Sequence, residues 1–262
     1  MKQIHSRDNP HFKTLLKLAA SAKERRVSQV MLLDGDHLVK ACRDAGMTIH
    51  LLAIAESAVG DRSKQQLFDS TTAHERFILS DQLLNIVSPV STASGLVAVA
   101  PIPKPADFPQ VAQTCLMLES IQDAGNLGSI LRTAAAAGVG HAALSAGCVS
   151  AWGPKVLRAG MGAHFQLSIH ERADLIALAS RYHGTIAAAQ PRGLVDLYQA
   201  DLSGPVAWLF GNEGNGLSPE LSECSSIAIR IPMAGPTESL NVGSAAAICL
   251  FEQVRQQKYG KF

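Results

Sequence analysis

The sequence predicts an α/β protein of two domains, the second built on a parallel sheet with helices on both faces. Three observations lead there. Short apolar runs alternate with segments of helical periodicity along the 262 residues. Beyond residue 110 those runs ("TCLMLES", "HAALS", "FQLSI", "TIAAAQ", "VAWLFG", "SSIAIRIP") are nearly continuous in apolar residues, as strands buried on both faces of a parallel sheet must be. Between the two series lies "PIPKPADFP", residues 101–109, whose four prolines can neither pair into a sheet nor continue a helix, so it reads as a stiff linker. The expected division is a domain over residues 1–100, a linker over 101–109 and a domain over 110–262.

In the first domain "VMLLDG", "IHLLAIAE", "RFILS" and "GLVAVA" are the expected strands, with helices at "DHLVKACRDAG", "SKQQLFDS" and "DQLLNIVS". Ahead of them "FKTLLKLAASAKERR" has apolar residues at helical spacing with lysines between. In the second domain helices are expected at "NLGSILRTAAAAG", "GPKVLRAG", "ADLIALASRYH" and "VGSAAAICLFEQVRQQKY".

Composition removes several function classes. Cys42, Cys115, Cys148, Cys224 and Cys249 are scattered through apolar runs without a CxxC pair, which suits buried reduced thiols. Nine histidines are dispersed without ligand spacing, so no metal site is expected. No apolar run reaches the roughly 18 residues of a membrane span, and "MKQIHSRDNPHFK" has no apolar leader core, so a cytoplasmic protein is expected. Net charge is +1, yet residues 1–26 hold seven cations against two acids, a local charge of +5. Such an arm can concentrate a polyanion, and is equally the charged face of a solvated helix.

In a doubly wound sheet, ligands sit beyond the carboxyl ends of the strands. Three loops there carry polar residues. In "LESIQDAGNLGSILRTAAAAGV" Asn126 is a candidate helix cap, and Arg132 can reach back toward the helix start, where helical side chains point. In "LFGNEGNGLS" closely spaced glycines permit backbone to approach a flat ligand, with Glu213 among them. In "IPMAGPTESLN" Pro232 ends a strand, Ser239 or Asn241 can cap the next helix, and the small residues "VGSAAA" admit close contact. Each loop alone also reads as ordinary turn and cap chemistry.

Together, "NLGSILRTA" (126–134), "GNEGNGLS" (211–218) and "IPMAGPTESLNV" (231–242) resemble, in order and spacing, the three motifs of the SpoU (TrmH-like) family of SPOUT RNA methyltransferases. The resemblance covers residues 110–262. It extends more weakly to the front, where "SRDNPHFKTLLKLAASAKERR" and "STASGLVAV" resemble the RNA-binding domain fused to many members. It implies a parallel sheet whose C-terminal segment threads a loop in a deep trefoil knot, and a homodimer. It also implies S-adenosylmethionine as cofactor and methylation of a ribose 2′-hydroxyl in structured RNA. By motif position it implies catalytic roles for Asn126, Arg132, Glu213 and Asn241. Cofactor contacts then fall to Gly211, Ile231, Met233, Ser239 and Leu240. Ala124 departs from the proline that members commonly carry before the Gly-Asn pair, a change that removes no functional group. Because transfer-RNA members of that family often lack the first domain, the resemblance implies ribosomal over transfer RNA. A transfer-RNA 2′-O-methyltransferase and a non-catalytic RNA-binding or ribosome-assembly protein on the same fold stay open. A dinucleotide-binding dehydrogenase does not fit, since no GxGxxG follows the first strand of either half.

Overall fold

A computed structural model of the chain describes residues 2–88, 94–110 and 113–260; part of "STASGLVAV", at 91–93, lies outside them. In chain order the elements are β1 (Lys2–Ile4), α1 (Pro10–Ala20), α2 (Ala22–Ser28), β2 (Val30–Asp34), α3 (Asp36–Asp44), β3 (Ile49–Ala55), α4 (Arg62–Ser70), β4 (Ala73–Leu79), α5 (Asp81–Val87) and β5 (Leu96–Pro101). There follow β6 (Cys115–Leu118), α6 (Ala124–Ala136), β7 (His141–Leu144), α7 (Pro154–Gly160), β8 (Ser168–His170), α8 (Leu175–Ala179), β9 (Thr185–Ala189), β10 (Val195–Asp196), β11 (Val206–Phe210), α9 (Pro219–Glu223), β12 (Ile227–Arg230) and α10 (Val242–Tyr259). They form two compact units, Met1–Pro103 with Trp152–Phe165, and Lys104–Ala151 with Gln166–Phe262.

The first unit holds a five-stranded sheet in the order β1-β4-β3-β5-β2. β1, β4 and β3 are parallel, while β5 runs antiparallel to both β3 and β2. Phe12, Leu15 and Leu18 of α1 are buried in its core. The basic arm is two helices rather than one. Ser21 accepts the Glu24 amide at 3.1 Å and starts a new helix, the Ser-x-x-Glu start signal overriding the apolar periodicity. Arg25 then turns inward, 6 % exposed, and donates to the Leu18 carbonyl at 2.5 Å. Lys13 pairs with Asp8 at 3.0 Å, so Lys2, Arg7, Lys17, Lys23 and Arg26 are the exposed arm cations without an ion-pair partner among the described residues.

The second unit is a seven-stranded sheet in the order β10-β12-β9-β11-β6-β7-β8, every neighbour pair parallel. β6 and β11 at its centre are buried throughout, and Trp208 stacks on Phe210 at 5.9 Å. "ADLIALASRYH" is helical only over Leu175–Ala179, because the chain then turns to bury Tyr182 against the core, its hydroxyl donating to the Gln113 carbonyl at 3.0 Å. From the linker, Phe108 sets its ring edge-on to His141 and His170 at 6.1 and 5.4 Å. Burial pushes the thiols of Cys115 and Cys249 up to about 12, keeping them protonated core groups at neutral pH. Among the described residues no helix is long and apolar enough to cross a membrane.

The unusual element is α10, which buries polar side chains. Gln253 and Gln256 are each 2 % exposed. Gln253 accepts from Trp208 Nε1 at 2.8 Å and donates to Thr114 Oγ1 at 3.0 Å and the Gly204 carbonyl at 2.9 Å. Gln256 accepts the Leu202 amide at 2.9 Å and donates to the Ala200 carbonyl at 3.1 Å. Two amides thus pair with backbone groups of the 200–204 loop, of which those of Ala200 and Leu202 are buried and would otherwise go unpaired. Replacing Gln253→Leu strands the buried Trp208 donor, and should lower unfolding stability by about 1–3 kcal/mol. A shifted urea midpoint at unchanged m value is the expected result.

Candidate active site

The polar loops follow the carboxyl ends of β6, β11 and β12. β6 lies between β7, which follows it in sequence, and β11, so the strand order reverses direction beside it, where a crevice opens in this kind of sheet. Beyond β6 the chain runs to Asp123, and this residue, not Asn126, caps α6: its carboxylate accepts the Asn126 amide at 2.7 Å. An aspartate three residues earlier takes the capping position. Asn126, in the first helical turn, is left with its side chain free to reach sideways. Its Nδ2 donates to Glu213 Oε1 at 3.0 Å, and its Oδ1 accepts from Asn241 Nδ2 at 2.8 Å.

Glu213 sits on a tight hairpin, closed by reciprocal backbone bonds between Asn212 and Gly216, each 2.9 Å. The Asn212 side chain accepts the amides of Gly214 and Asn215 and donates to the Ser120 carbonyl at 2.8 Å. Gly211 has no room for a side chain: a Cβ there would overlap the backbone of Gly216 and Leu217. Partial desolvation works against the charge on Glu213. Hydrogen bonds from the Asn126 side chain and the Gln122 and Asp123 amides outweigh it and hold the carboxyl below the usual glutamate value.

The third contributor is Asn241, the cap of α10, whose Oδ1 accepts the Gly243 and Ser244 amides at 2.9 and 3.3 Å. Of the two cap candidates read from sequence, Ser239 does not serve. A Cβ at Gly243 would lie 2.7 Å from Ser129 Oγ of α6, so the small residues at this helix start admit α6. Glu213, Asn126 and Asn241 therefore form one hydrogen-bonded line across three separate loops. Arg132 stands apart from it. It is exposed on α6, without a hydrogen bond or ion pair among the described residues.

Beside this line is a cleft. Gly211, Ile231, Met233, Ser239 and Leu240 all border it, as does Glu213, whereas Asn126, Arg132 and Asn241 do not. Its remaining walls include Phe210, Glu238, and Gln190 with Pro191. The last two were not singled out from sequence, although they directly follow the apolar run "TIAAA" at a strand's carboxyl end, the signal that located the other loops. Apolar walls of Phe210, Ile231, Met233 and Leu240 suit a flat ring, and the Ser239 hydroxyl and Glu238 carboxylate suit hydroxyl and amino groups. No group of His, Cys, Asp and Glu among the described residues is arranged to hold a metal.

Comparison with known proteins places the chain in a family. The SpoU rRNA Methylase family matches residues 113–251, and the MRM3-like substrate binding domain matches residues 9–98. An uncharacterized tRNA/rRNA methyltransferase of Synechocystis is 33% identical, the match covering 97% of this chain and 94% of the relative. The 23S rRNA (guanosine(2553)-2′-O)-methyltransferase RlmP of Bacillus subtilis is 31% identical over 96% of this chain and 98% of its own. The crystal structure of an AdoMet-bound rRNA methyltransferase from Sinorhizobium meliloti superposes with a TM-score of 0.83 at 27% identity, covering 98% of both chains. With the family model spanning residues 113–251 and relatives aligned along nearly the whole chain, this protein belongs to the SpoU rRNA methylase family.

Proposed function

We propose that the protein methylates the ribose 2′-hydroxyl of a nucleotide in structured RNA, ribosomal RNA in preference to transfer RNA, using S-adenosylmethionine. The observation that carries this reading is the line Glu213–Asn126–Asn241 drawn from three loops along a cleft with glycine-loop and apolar walls. Relatives whose names specify 2′-O-methylation of 23S ribosomal RNA, and the matched substrate-binding domain, support the substrate class.

The cleft fits the cofactor: its apolar and polar walls match an adenosine. Gly211, Ile231, Met233, Ser239 and Leu240 would hold it. When bound, it supplies a methyl group already activated on a sulfonium. The protein's task is then alignment and management of one proton, since a ribose hydroxyl is a poor nucleophile at neutral pH. Arg132 carries a permanent charge and five donors, uncommitted among the described residues, and is suited to grip a phosphate and stabilise the oxygen as it loses its proton. Ionised Glu213 holds Asn126, which holds Asn241, so the three loops keep their spacing.

The exposed cations Lys2, Arg7, Lys17, Lys23 and Arg26 would meet RNA phosphates. The knot implied by the motifs belongs to the same proposal, supported by residues 231–242 sharing a cleft with the 189–191 and 211–216 segments. So does a homodimer, which would cover Leu194, Tyr198, Phe251 and Tyr259, all exposed, at 88%, 57%, 48% and 74%. A cytoplasmic location completes it.

Mass-spectrometric mapping of 2′-O-methyl groups in ribosomal RNA from cells with and without the protein tests the assignment; one ribose should lose its methyl group, and an unchanged map overturns it. In vitro, Arg132→Ala should bind S-adenosylmethionine normally and lose methyl transfer by on the order of 10² or more. Near-normal turnover would remove Arg132 from the reaction. A carboxyl held low contributes its stabilisation in full above the ordinary glutamate range and loses it only as pH falls through the lowered value, so Glu213 is ionised from pH 6 to 9. Glu213→Gln should therefore slow transfer by about 10- to 100-fold through misplacement while leaving the shape of the pH–rate profile over that range unchanged. Disappearance of an inflection there would make Glu213 a titrating participant instead.

A further inference from the structure

The loop bearing Glu213 is tied at both ends to two consecutive residues that the motifs do not include. β6 ends at Leu118. The next residue, Glu119, donates its backbone amide to the Phe210 carbonyl at 2.9 Å, where the loop begins. Its carboxylate accepts from the far end: Oε2 from the Ser218 amide at 2.7 Å and Oε1 from the Ser218 hydroxyl at 2.8 Å. Ser120 accepts Asn212 Nδ2 on its carbonyl, and adopts a left-handed backbone, φ 54°, as it does so. The 211–217 loop is thus a strap buckled at both ends to the strand that leads into α6 and Asn126.

Two properties separate Glu119 from an ordinary packing residue. It is half-buried with no cationic partner among the described residues, and its carboxylate is used on Ser218 alone. Charge-assisted bonds of this kind are short and about twice as strong as neutral ones. The strands themselves do not need it: β6 and β11 are joined by their own ladder from Cys115–Ala207 to Leu118–Phe210. What the carboxylate adds is the closing of the strap, whose residues Gly211, Asn212, Glu213, Gly214 and Gly216 form one wall of the cleft.

We propose that Glu119 is a positioning residue for methyl transfer, which acts through Ser218 to hold the glycine loop at the distance from α6 that cofactor binding and the Glu213–Asn126 bond require. The inference rests on the function proposed above. Isothermal titration of the full-length protein with S-adenosylmethionine, alongside thermal melting of the ligand-free protein and single-turnover methyl transfer, tests it. Glu119→Ala should raise the cofactor Kd at least tenfold and slow transfer, with the ligand-free melting temperature within a few degrees of wild type. Glu119→Gln, which keeps one acceptor for the Ser218 amide, should fall between the two. A Glu119→Ala protein whose Kd stays within threefold of wild type overturns the proposal. If that variant does not fold, the decision passes to Glu119→Gln, where a Kd raised threefold or more supports it and a smaller change overturns it. A wild-type protein that binds no S-adenosylmethionine would overturn the proposed function itself, a result distinct from equal binding by wild type and variant.

Discussion

A primary amide has a donor side and an acceptor side, and the candidate site depends on one such group being left uncommitted. Asp123 takes the capping position of α6, so Asn126 can give its donor to a carboxylate on one loop and its acceptor to an amide on another. Were Asn126 itself the cap, its oxygen would be held by backbone amides and Asn241 would lose its partner. The order Asp-Ala-Gly-Asn thus performs two operations within one helical turn, starting the helix and projecting a bridging group from it. The asparagine at the start of α10 does both at once: its oxygen caps the helix while its nitrogen completes the line.

How much of this could be read from the sequence differs between levels. The parallel sheet was legible because runs such as "CLML" and "VAWLF" have no polar face, and only burial on both sides satisfies them. Strand order was not legible, since a run of valine and leucine carries no record of its neighbour, and β5 gave no sign that it runs antiparallel to β2 and β3. The two-residue β10 and five-residue α9 are too short for any periodicity to register. The split of the basic arm at Ser21 was written in "SAKE" and masked by the stronger apolar repeat around it. Residues bordering the cleft became a set only through the joint occurrence of three motifs. Gln190 and Pro191, outside those motifs, needed the folded chain to be seen.

Charge shows the same division between what composition suggests and what geometry permits. Seven cations in the first 26 residues read as one polyanion-binding arm, but Arg25 is consumed in holding α2 to the end of α1 and Lys13 is paired with Asp8. The buried arginine is what lets the short α2 stand exposed with Lys23 and Arg26 outward. Polar groups in the core of α10 follow the opposite logic. Gln253 and Gln256 are polar yet buried, and their amides pair with backbone groups of the adjoining loop.

The Asn126–Glu213 and Asn126–Asn241 bonds join residues 87 and 115 positions apart. In a chain made from its amino end, α6 and its exposed asparagine exist long before either partner has been synthesised. The entropy of closing such loops grows only slowly with their length, so the delay is one of time more than of free energy. The first sheet, complete by residue 101, has all its strands much earlier. A half-made chain therefore already carries its basic arm and five-stranded sheet while its Asn126 still faces water, and the site closes only when α10 arrives to dock.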